Sequence, residues 1–396
     1  MMEMGLYEAR EALLALATPL KQTTFVPLDG ALGRVTSEAI ICQKNLPSYN
    51  NAALDGFAFA HEGHSGTLRI KATIYAGAVQ EPVLEAGECY KIMTGAKVPE
   101  DADTVVAFED TLDYDALKVT LPQGVKKGNA FRFKGEEQAR GNVLIGANTL
   151  LTPAHLAMLA TQGITHVPVV VRPKIAVVST GDELKEPWEQ SGEDEIHNCN
   201  SYAIIALLQS AGFEADYSGV IPDSLEESKM FIHGLCAYDV VISSGGISMG
   251  EADFVRAGLE ANDFQARFHG INIKPGRPTM VGRMGKTLVI SLPGNPMAAF
   301  LNAFLLALPA VKKLSGMACV TPPVLKATNT TPFTCKGGRN ELVLGWYEEG
   351  TFTVTRNNKY GSGMLTPLLE SNAVLVSQPE EKEFGLAREV SCVLLP

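Results

Sequence analysis

Carboxylates, glycine-rich turns and cations recur in this sequence directly after apolar runs. Gly181-Asp182-Glu183 follows KIAVVST, and Pro222-Asp223 follows the run that ends at Ile221. Gly245-Gly246-Ile247-Ser248 follows YDVVISS, which ends at Ser244, with Asp253 just beyond. Lys274-Pro275-Gly276-Arg277 follows FHGINI, and Pro293-Gly294-Asn295-Pro296 follows TLVISL. Glu183, Asp223 and Asp253 could hold Mg2+, a hard cation that takes oxygen ligands and keeps several waters. The segment Ser244 to Ser248, with its two glycines, can present backbone N–H groups to a phosphate ahead of a helix. Lys274 and Arg277 supply positive charge to an oxyanion. Together these groups suit a phosphoanhydride, where catalysis is mostly positioning and charge neutralisation.

Taken singly, each segment also has a purely structural reading. GDEL is a helix start with acids favoured by the dipole, Pro222-Asp223 is a helix cap, KPGR is a tight turn and PGNP is a strand-to-helix turn. Asp182 and Asp223 could each be structural. What joins the segments is the order of elements around them. KIAVVST reads as a strand, Ser201 to Ser210 as a helix ending at Gly212, and Ala215 to Ile221 as a strand. A helix after Asp223 carries a capping box of Asp223 with Glu226. YDVVISS is a buried strand, and a helix follows its glycine-rich loop. After FHGINI come the strands TMVG and TLVISL and a long helix from Pro296. Alternation of this kind predicts a mostly parallel sheet with helices on both faces. Ligands bind such sheets at the carboxyl ends of the strands, so the segments are expected on one rim.

The flanking regions differ. Gly5 to Lys21 reads as a helix, Thr23 to Gln43 as short strands, and Leu46 to about Lys134 as a β-rich domain. Thr152 is a suitable N-cap for a helix with Pro153 in its first turn and Gly163 at its end. From Thr321 on, short strands between turn residues predict a small β-barrel or sandwich. The fold class expected is α/β multidomain, with a central doubly wound, mostly parallel sheet domain, a β-rich inserted domain and a C-terminal small β-barrel.

Composition narrows the partners. The 396 residues carry a net charge of −11, which disfavours nucleic acid and anionic lipid over most of the surface. Seven scattered cysteines with no CxxC pair argue against a disulfide framework or a thiolate zinc site and fit a reducing cytoplasm. The apolar run Ala298 to Leu308 is too short to span a bilayer, and no targeting segment stands out. Gly285-Lys286-Thr287 lacks the first glycine of a Walker A motif and reads as a hairpin turn. His61 and His64 do not form HExxH, and no GxSxG occurs.

Longer motifs point to a family. LPSYNNAALDGFA (46–58) resembles LPxFDNSAMDGYA of the molybdopterin molybdenumtransferase family, with Asp55 at its aspartate. IMTGAKVPEDADTVV (92–106) resembles xxTGAxxPxGADxVV and places Thr94, Gly95 and Ala96. STGDEL brings Glu183, the segment Ile221 to Asp223 brings Asp223, and SGGISMGEAD resembles SGGVSxGxxD with Ser248 and Asp253. Lys274 and Arg277 fall on IKPGKP, and LPGNP (292–296) is present in full.

The resemblance implies four subdomains: 1–21 with 172–320 as the molybdopterin-binding α/β domain, 22–45 with 136–171 as a linking dimerisation domain, 46–135 as the β-rich domain and 321–396 as the barrel. It implies an elongated homodimer in which Asp55 and Thr94 of one chain approach Asp223, Asp253 and Lys274 of its partner. The reaction implied is insertion of molybdate into adenylylated molybdopterin, with Mg2+-dependent hydrolysis releasing AMP. Asp55, Glu183, Asp223, Asp253 and Lys274 are then expected to be catalytic, with Glu183, Asp223 and Asp253 as metal ligands. Thr94, Gly95, Ser244, Gly245, Gly246, Ser248, Arg277, Pro293, Gly294, Asn295, Pro296 and Thr366 are expected to bind substrate. A molybdopterin adenylyltransferase is a possible upstream partner, while no nucleic-acid or membrane partner is expected.

Several positions depart from the family pattern. Glu137 replaces the aspartate of GED, Asn50 and Ala52 replace DxS, and Arg277 replaces a lysine. Leu344 stands where GRxxFxR has its second arginine, and Thr366 stands where serine is common. Two alternatives remain open at this level: a molybdopterin adenylyltransferase, which usually lacks the β-rich insert and barrel, and a non-catalytic scaffold like gephyrin. Molybdenum and tungsten form similar tetrahedral dianions, and the residues do not choose between them.

Overall fold

The computed structural model describes residues 4–62, 64, 66–78, 83–246 and 254–396. The chain divides into two compact units. One comprises Met1–Val26, Gly33–Ser37 and Pro168–Pro396, and the other comprises Pro27–Leu32 and Glu38–Val167.

The first unit is built on a six-stranded sheet. Its order is Asp216–Ile221, Ile175–Thr180, Val240–Ser244, Thr287–Leu292, Met280–Met284, Phe264–His269. The first four strands run parallel, and Met280–Met284 is antiparallel to both of its neighbours. Ile175–Thr180, Val240–Ser244 and Thr287–Leu292 are buried along their whole length, as strands covered on both faces must be. Side chains alternate between two cores. Val177, Ile242 and Ile290 face the helices Leu6–Leu16, Asn200–Ser210 and the long helix from Pro296. Ala176, Val178, Val241 and Val289 face Ile232, Val255 and Leu259 from the helices on the opposite side. Gly285, at φ +57°, turns the hairpin that the sequence led us to expect there.

The helix from Pro296 is longer than its apolar run suggested. It continues to Leu314, 19 residues in all, and by length and hydropathy alone it could cross a membrane. It is 83% buried inside the protein, which makes it a core helix. A π turn at Ala303–Ala307 precedes Pro309, which has no N–H to give to a regular helical ladder.

The C-terminal strands close into a five-stranded barrel through Asn340–Glu348, Thr351–Val354, Val324–Asn329, Glu389–Leu394 and Ala373–Val376, the last pairing back with the first. One expectation is corrected here. Ile273–Lys274 does not extend the central sheet, whose edge strand ends at His269. It pairs in parallel with Asn340 and Glu341 of the barrel, so KPGR leaves the rim for a position beside the C-terminal domain.

The second unit holds a six-stranded sheet in the order Thr104–Ala107, Gly56–Phe59, Glu88–Ile92, Thr67–Ile74, Lys118–Thr120, Asp113–Tyr114. Both of its faces are covered. Ala58, Tyr90, Ile92 and Val105 pack on one side, and Phe57, Phe59, Cys89 and Val106 pack on the other. Its helix Pro153–Thr161 starts from Thr152 as N-cap, and Gly163 follows its end with φ +73°.

Candidate active site

A cavity of about 680 Å3 opens at the carboxyl ends of the parallel strands. Glu183, Asp223, Ser244, Gly245, Gly246 and the segment Pro293 to Pro296 all line it, so four of the five strand-end motifs meet. One wall is acidic. Gly181 has φ +130°, and a Cβ there would stand 2.6 Å from Glu183 Oε2, so only glycine lets this carboxylate fold back over the turn. The carboxyl of Asp223 is held above the ordinary carboxylate range by loss of water around it, by the negative charge of Asp182 and its hydrogen bond to that residue, and by the charge of Glu183. Asp223 is not the helix cap the sequence suggested. Ser224 is the N-cap of Leu225–Gly234, its Oγ donating to Glu227 Oε2 at 2.7 Å, which leaves Asp223 facing the cavity.

Two glycine turns also line the cavity. Gly245 and Gly246 have φ of +88° and +64°, and a Cβ on either would collide with Thr180, at 2.8 and 2.5 Å. The Gly245 N–H donates to the Leu292 carbonyl at 3.0 Å. It is therefore committed to the fold and is not among the N–H groups that this segment could offer a phosphate. Asn200, which sequence reasoning passed over, ties the turns together. Its Nδ2 donates to Ser244 Oγ at 2.9 Å and to the Gly294 carbonyl at 2.8 Å. Asn198, Cys199 and Asn200 line the cavity at the start of the helix Asn200–Ser210, where the helix dipole favours an anion; the Ser201 N–H is already taken by Asn198 Oδ1 at 3.3 Å. The run HNCN after a long polar loop was the available signal.

Lys274 and Arg277 lie in a neighbouring cavity of about 330 Å3, which shares Pro278 with the first. Arg339 adds a third cation to its lining. Lys274 Nζ donates to Glu341 Oε2 at 2.8 Å, and the Glu341 side chain is only 3% exposed. The KPGR turn is pinned from beneath by Asn302, whose Nδ2 donates to the Gly276 carbonyl at 3.0 Å and to Thr279 Oγ1 at 2.7 Å. Leu344, at the position of the family arginine, is fully buried in the core that also holds Val374 and Val393. Thr366 is exposed at the start of a short helix and lines neither cavity. Ser248 and Asp253 fall within 247–253, outside the described residues.

In the second unit the Asp55 carboxylate accepts from the Thr94 backbone N–H at 2.6 Å and from Thr94 Oγ1 at 2.7 Å. These bonds, the backbone one foremost, hold Asp55 below the ordinary carboxylate range. Gly56 fixes the neighbouring backbone, because a Cβ there would stand 2.0 Å from the Val106 carbonyl oxygen. Gly95 follows Thr94 with φ +77°.

The chain is similar along nearly all its length to proteins of known family. The model described as the MoeA N-terminal region (domain I and II) matches residues 4–163, that of a probable molybdopterin binding domain matches 176–313, and that of the MoeA C-terminal region (domain IV) matches 326–395. A molybdopterin molybdenumtransferase of Haemophilus influenzae is 33% identical over 392 residues, covering 97% of this chain and 96% of its own. The chain belongs to the molybdopterin molybdenumtransferase family. A second member, from Staphylococcus aureus strain MSSA476, is 31% identical over 93% of this chain and 90% of its own. Among solved structures, a molybdopterin biosynthesis MoeA protein from Pyrococcus horikoshii OT3 superposes with a TM-score of 0.86 at 29% identity, covering all of both chains. Membership accounts for the three-part order seen here, in which the β-rich region precedes the sheet domain and the barrel follows it.

Proposed function

We propose that this protein inserts molybdate into adenylylated molybdopterin in molybdenum cofactor biosynthesis, releasing AMP by Mg2+-dependent hydrolysis. The observation that carries the reading is the meeting of an acidic wall, Glu183 and Asp223, with the glycine turns of Ser244 to Gly246 and Pro293 to Pro296 around one cavity. A phosphoanhydride needs both: donors for its oxygens, and a cation to screen it from carboxylates. The neighbouring cavity with Lys274, Arg277 and Arg339 suits a tetrahedral dianion such as molybdate. The adenylyltransferase and scaffold readings are not favoured, since the curated relatives match over 97% and 93% of this chain and are named molybdopterin molybdenumtransferase.

The donor set fits Mg2+. No Lys or Arg forms an ion pair with Asp182, Glu183 or Asp223 among the described residues, and the Asp223 carboxyl is held above its ordinary range by loss of water first and by the charges of Asp182 and Glu183 after it. No group of three or more metal-ligating side chains gathers among those residues. Two carboxylates are enough for Mg2+, which completes its shell with water and phosphate oxygens. When bound, the metal would neutralise charge on the phosphoanhydride. Glu183 and Asp223 would hold it, and Asp253 is the further candidate. The helix start at Asn200 and the glycine turns would orient the phosphates, while Lys274 and Arg277 would hold the oxyanion.

The assembly proposed is a homodimer in which Asp55 and Thr94 of one protomer serve the cavity of its partner. A cytoplasmic setting accords with seven cysteines that all remain free thiols. The test is one assay with purified protein, adenylylated molybdopterin, Mg2+ and varied molybdate. Molybdate-dependent formation of cofactor together with AMP is the expected result. Binding of substrate with no turnover, or AMP release indifferent to molybdate, would overturn the reading.

A further inference from the structure

We infer that Glu341 is a positioning residue of the oxyanion cavity: it holds the Lys274 ammonium in place and thereby strengthens anion binding, although it carries negative charge itself. The inference rests on reading the cavity around Lys274 as the oxyanion site.

Glu341 and Lys274 are neighbours in register, on the barrel strand and on the two-residue strand that joins it. The Glu341 carboxylate is buried, with a side-chain exposure of 3%, while that of Lys274 is 43%. The buried carboxylate is fully engaged. Oε2 accepts from Lys274 Nζ at 2.8 Å, and Oε1 accepts from the Lys336 backbone N–H. Its own main chain is locked to Ser377, whose Oγ accepts from the Glu341 N–H at 2.9 Å and whose N–H donates to the Glu341 carbonyl at 2.9 Å. The anchor is therefore rigid, whereas a lysine is a four-carbon stem with a compact charge and large rotamer entropy. Half-exposed and unanchored, Lys274 would spend its time in water. Tied to Glu341, its ammonium keeps two further protons for another acceptor in the cavity that Arg277 and Arg339 also line.

Charge alone makes the opposite prediction. A carboxylate in the wall of an anion site repels the anion, and removing it would tighten binding. Positioning and repulsion thus differ in sign, and the sign can be read without turnover.

The experiment is calorimetric titration of the full-length protein with molybdate, comparing wild type, Glu341→Gln, Glu341→Asp, Lys274→Met and the double variant Lys274→Met/Glu341→Gln, with thermal melts of each. Glutamine keeps an acceptor for the Lys336 N–H but loses the charge that holds Lys274. The expected result is molybdate affinity about tenfold weaker in Glu341→Gln, with part of the loss recovered in Glu341→Asp. The double variant should bind no more weakly than Lys274→Met alone, since both changes act through one ammonium. Equal or tighter binding in Glu341→Gln with a cooperative melt, or additive losses in the double variant, would overturn the inference while leaving the cavity an oxyanion site. Molybdate binding that ignores Lys274→Met would instead overturn the reading of the cavity, and this inference with it. Should Glu341→Gln fail to fold, the comparison of Glu341→Asp with wild type decides: affinity must fall, not rise.

Discussion

The Asn200 amide reaches two loops that are far apart in sequence, donating to Ser244 Oγ at 2.9 Å and to the Gly294 carbonyl at 2.8 Å. The loops approach closely here, since a Cβ on Gly294 would lie 3.6 Å from Gly245 Cα. One side chain at a helix start thus sets the spacing of both turns that would grip the phosphates. Asn200→Ala removes both bonds and leaves the Gly294 carbonyl without that donor. The expected cost is about 1 to 3 kcal/mol in stability. In the AMP-release assay, kcat/KM should fall roughly tenfold to a hundredfold, because misplacement of the turns acts on the transition state. A variant with the lower melting temperature but unchanged kcat/KM would make Asn200 a structural residue only.

Gly181 controls Glu183 in a different way. Its φ of +130° is closed to residues with a Cβ, and the atom would land 2.6 Å from the Glu183 carboxylate. Gly181→Ala should cost about 1 to 3 kcal/mol through backbone strain and push Glu183 away from the acidic wall. If Glu183 holds the metal, the Mg2+ concentration for half-maximal AMP release must rise in this variant. A Mg2+ titration identical to wild type, in protein shown to be folded, would remove Glu183 from the ligand set.

The strand-end motifs were legible because each couples an apolar run to glycine or proline at a fixed place, and that pairing dictates strand, turn and helix locally. What stayed hidden depended on partners remote in sequence. Nothing near Lys274 announces that it pairs with Glu341, 67 residues away, and Glu341 reads as an ordinary strand acid until the barrel closes around it. The barrel itself closes through pairing of Leu342–Gly345 with Ala373–Val376, which no local pattern specifies. The misplaced cap is a different kind of error. Asp223 with Glu226 and Ser224 with Glu227 are both acceptable cap pairs one residue apart, and in the fold Ser224 takes the cap. Leu344 became interpretable only once its burial was known: it fills a core position and leaves Arg339 to face the cations of KPGR.

Thr94 should govern the acidity of Asp55. The carboxylate is depressed below its ordinary range by two bonds from Thr94, the backbone one larger. Thr94→Val keeps that backbone bond and the shape but deletes the hydroxyl donor. Asp55 should then titrate at higher pH than in wild type, yet still below an unperturbed aspartate. Because its folded pKa is the lower one, Asp55 contributes stability that is complete above the ordinary carboxylate range and is lost as pH falls through the depressed value. In Thr94→Val that contribution is smaller, and its loss is complete at a higher pH. Carboxyl-carbon NMR titration of the two proteins checks this, and an unmoved Asp55 would show that the hydroxyl has no part in it.

Asp223 has the reverse sign. Its folded pKa is raised by loss of water and by Asp182 and Glu183, so the folded protein resists its ionisation more than the unfolded chain does. Folding is unaffected below the ordinary carboxylate range. It weakens as pH rises through the interval between the ordinary and the raised value, and the penalty persists at neutral pH. Asp223→Asn removes the penalty. In metal-free buffer at neutral pH this variant should therefore melt at a higher temperature than wild type, a difference that vanishes once the pH drops below the carboxylate range. Added Mg2+ should raise the wild-type melting temperature but leave the variant largely unmoved, since binding stabilises only the form that binds. Turnover should fall about a hundredfold, the typical cost of one positioned electrostatic group. A gain in stability at the expense of activity is the signature of a carboxylate kept for its ligand. An Asp223→Asn protein that melts lower than wild type in chelator, yet turns over normally, would assign the residue to the fold.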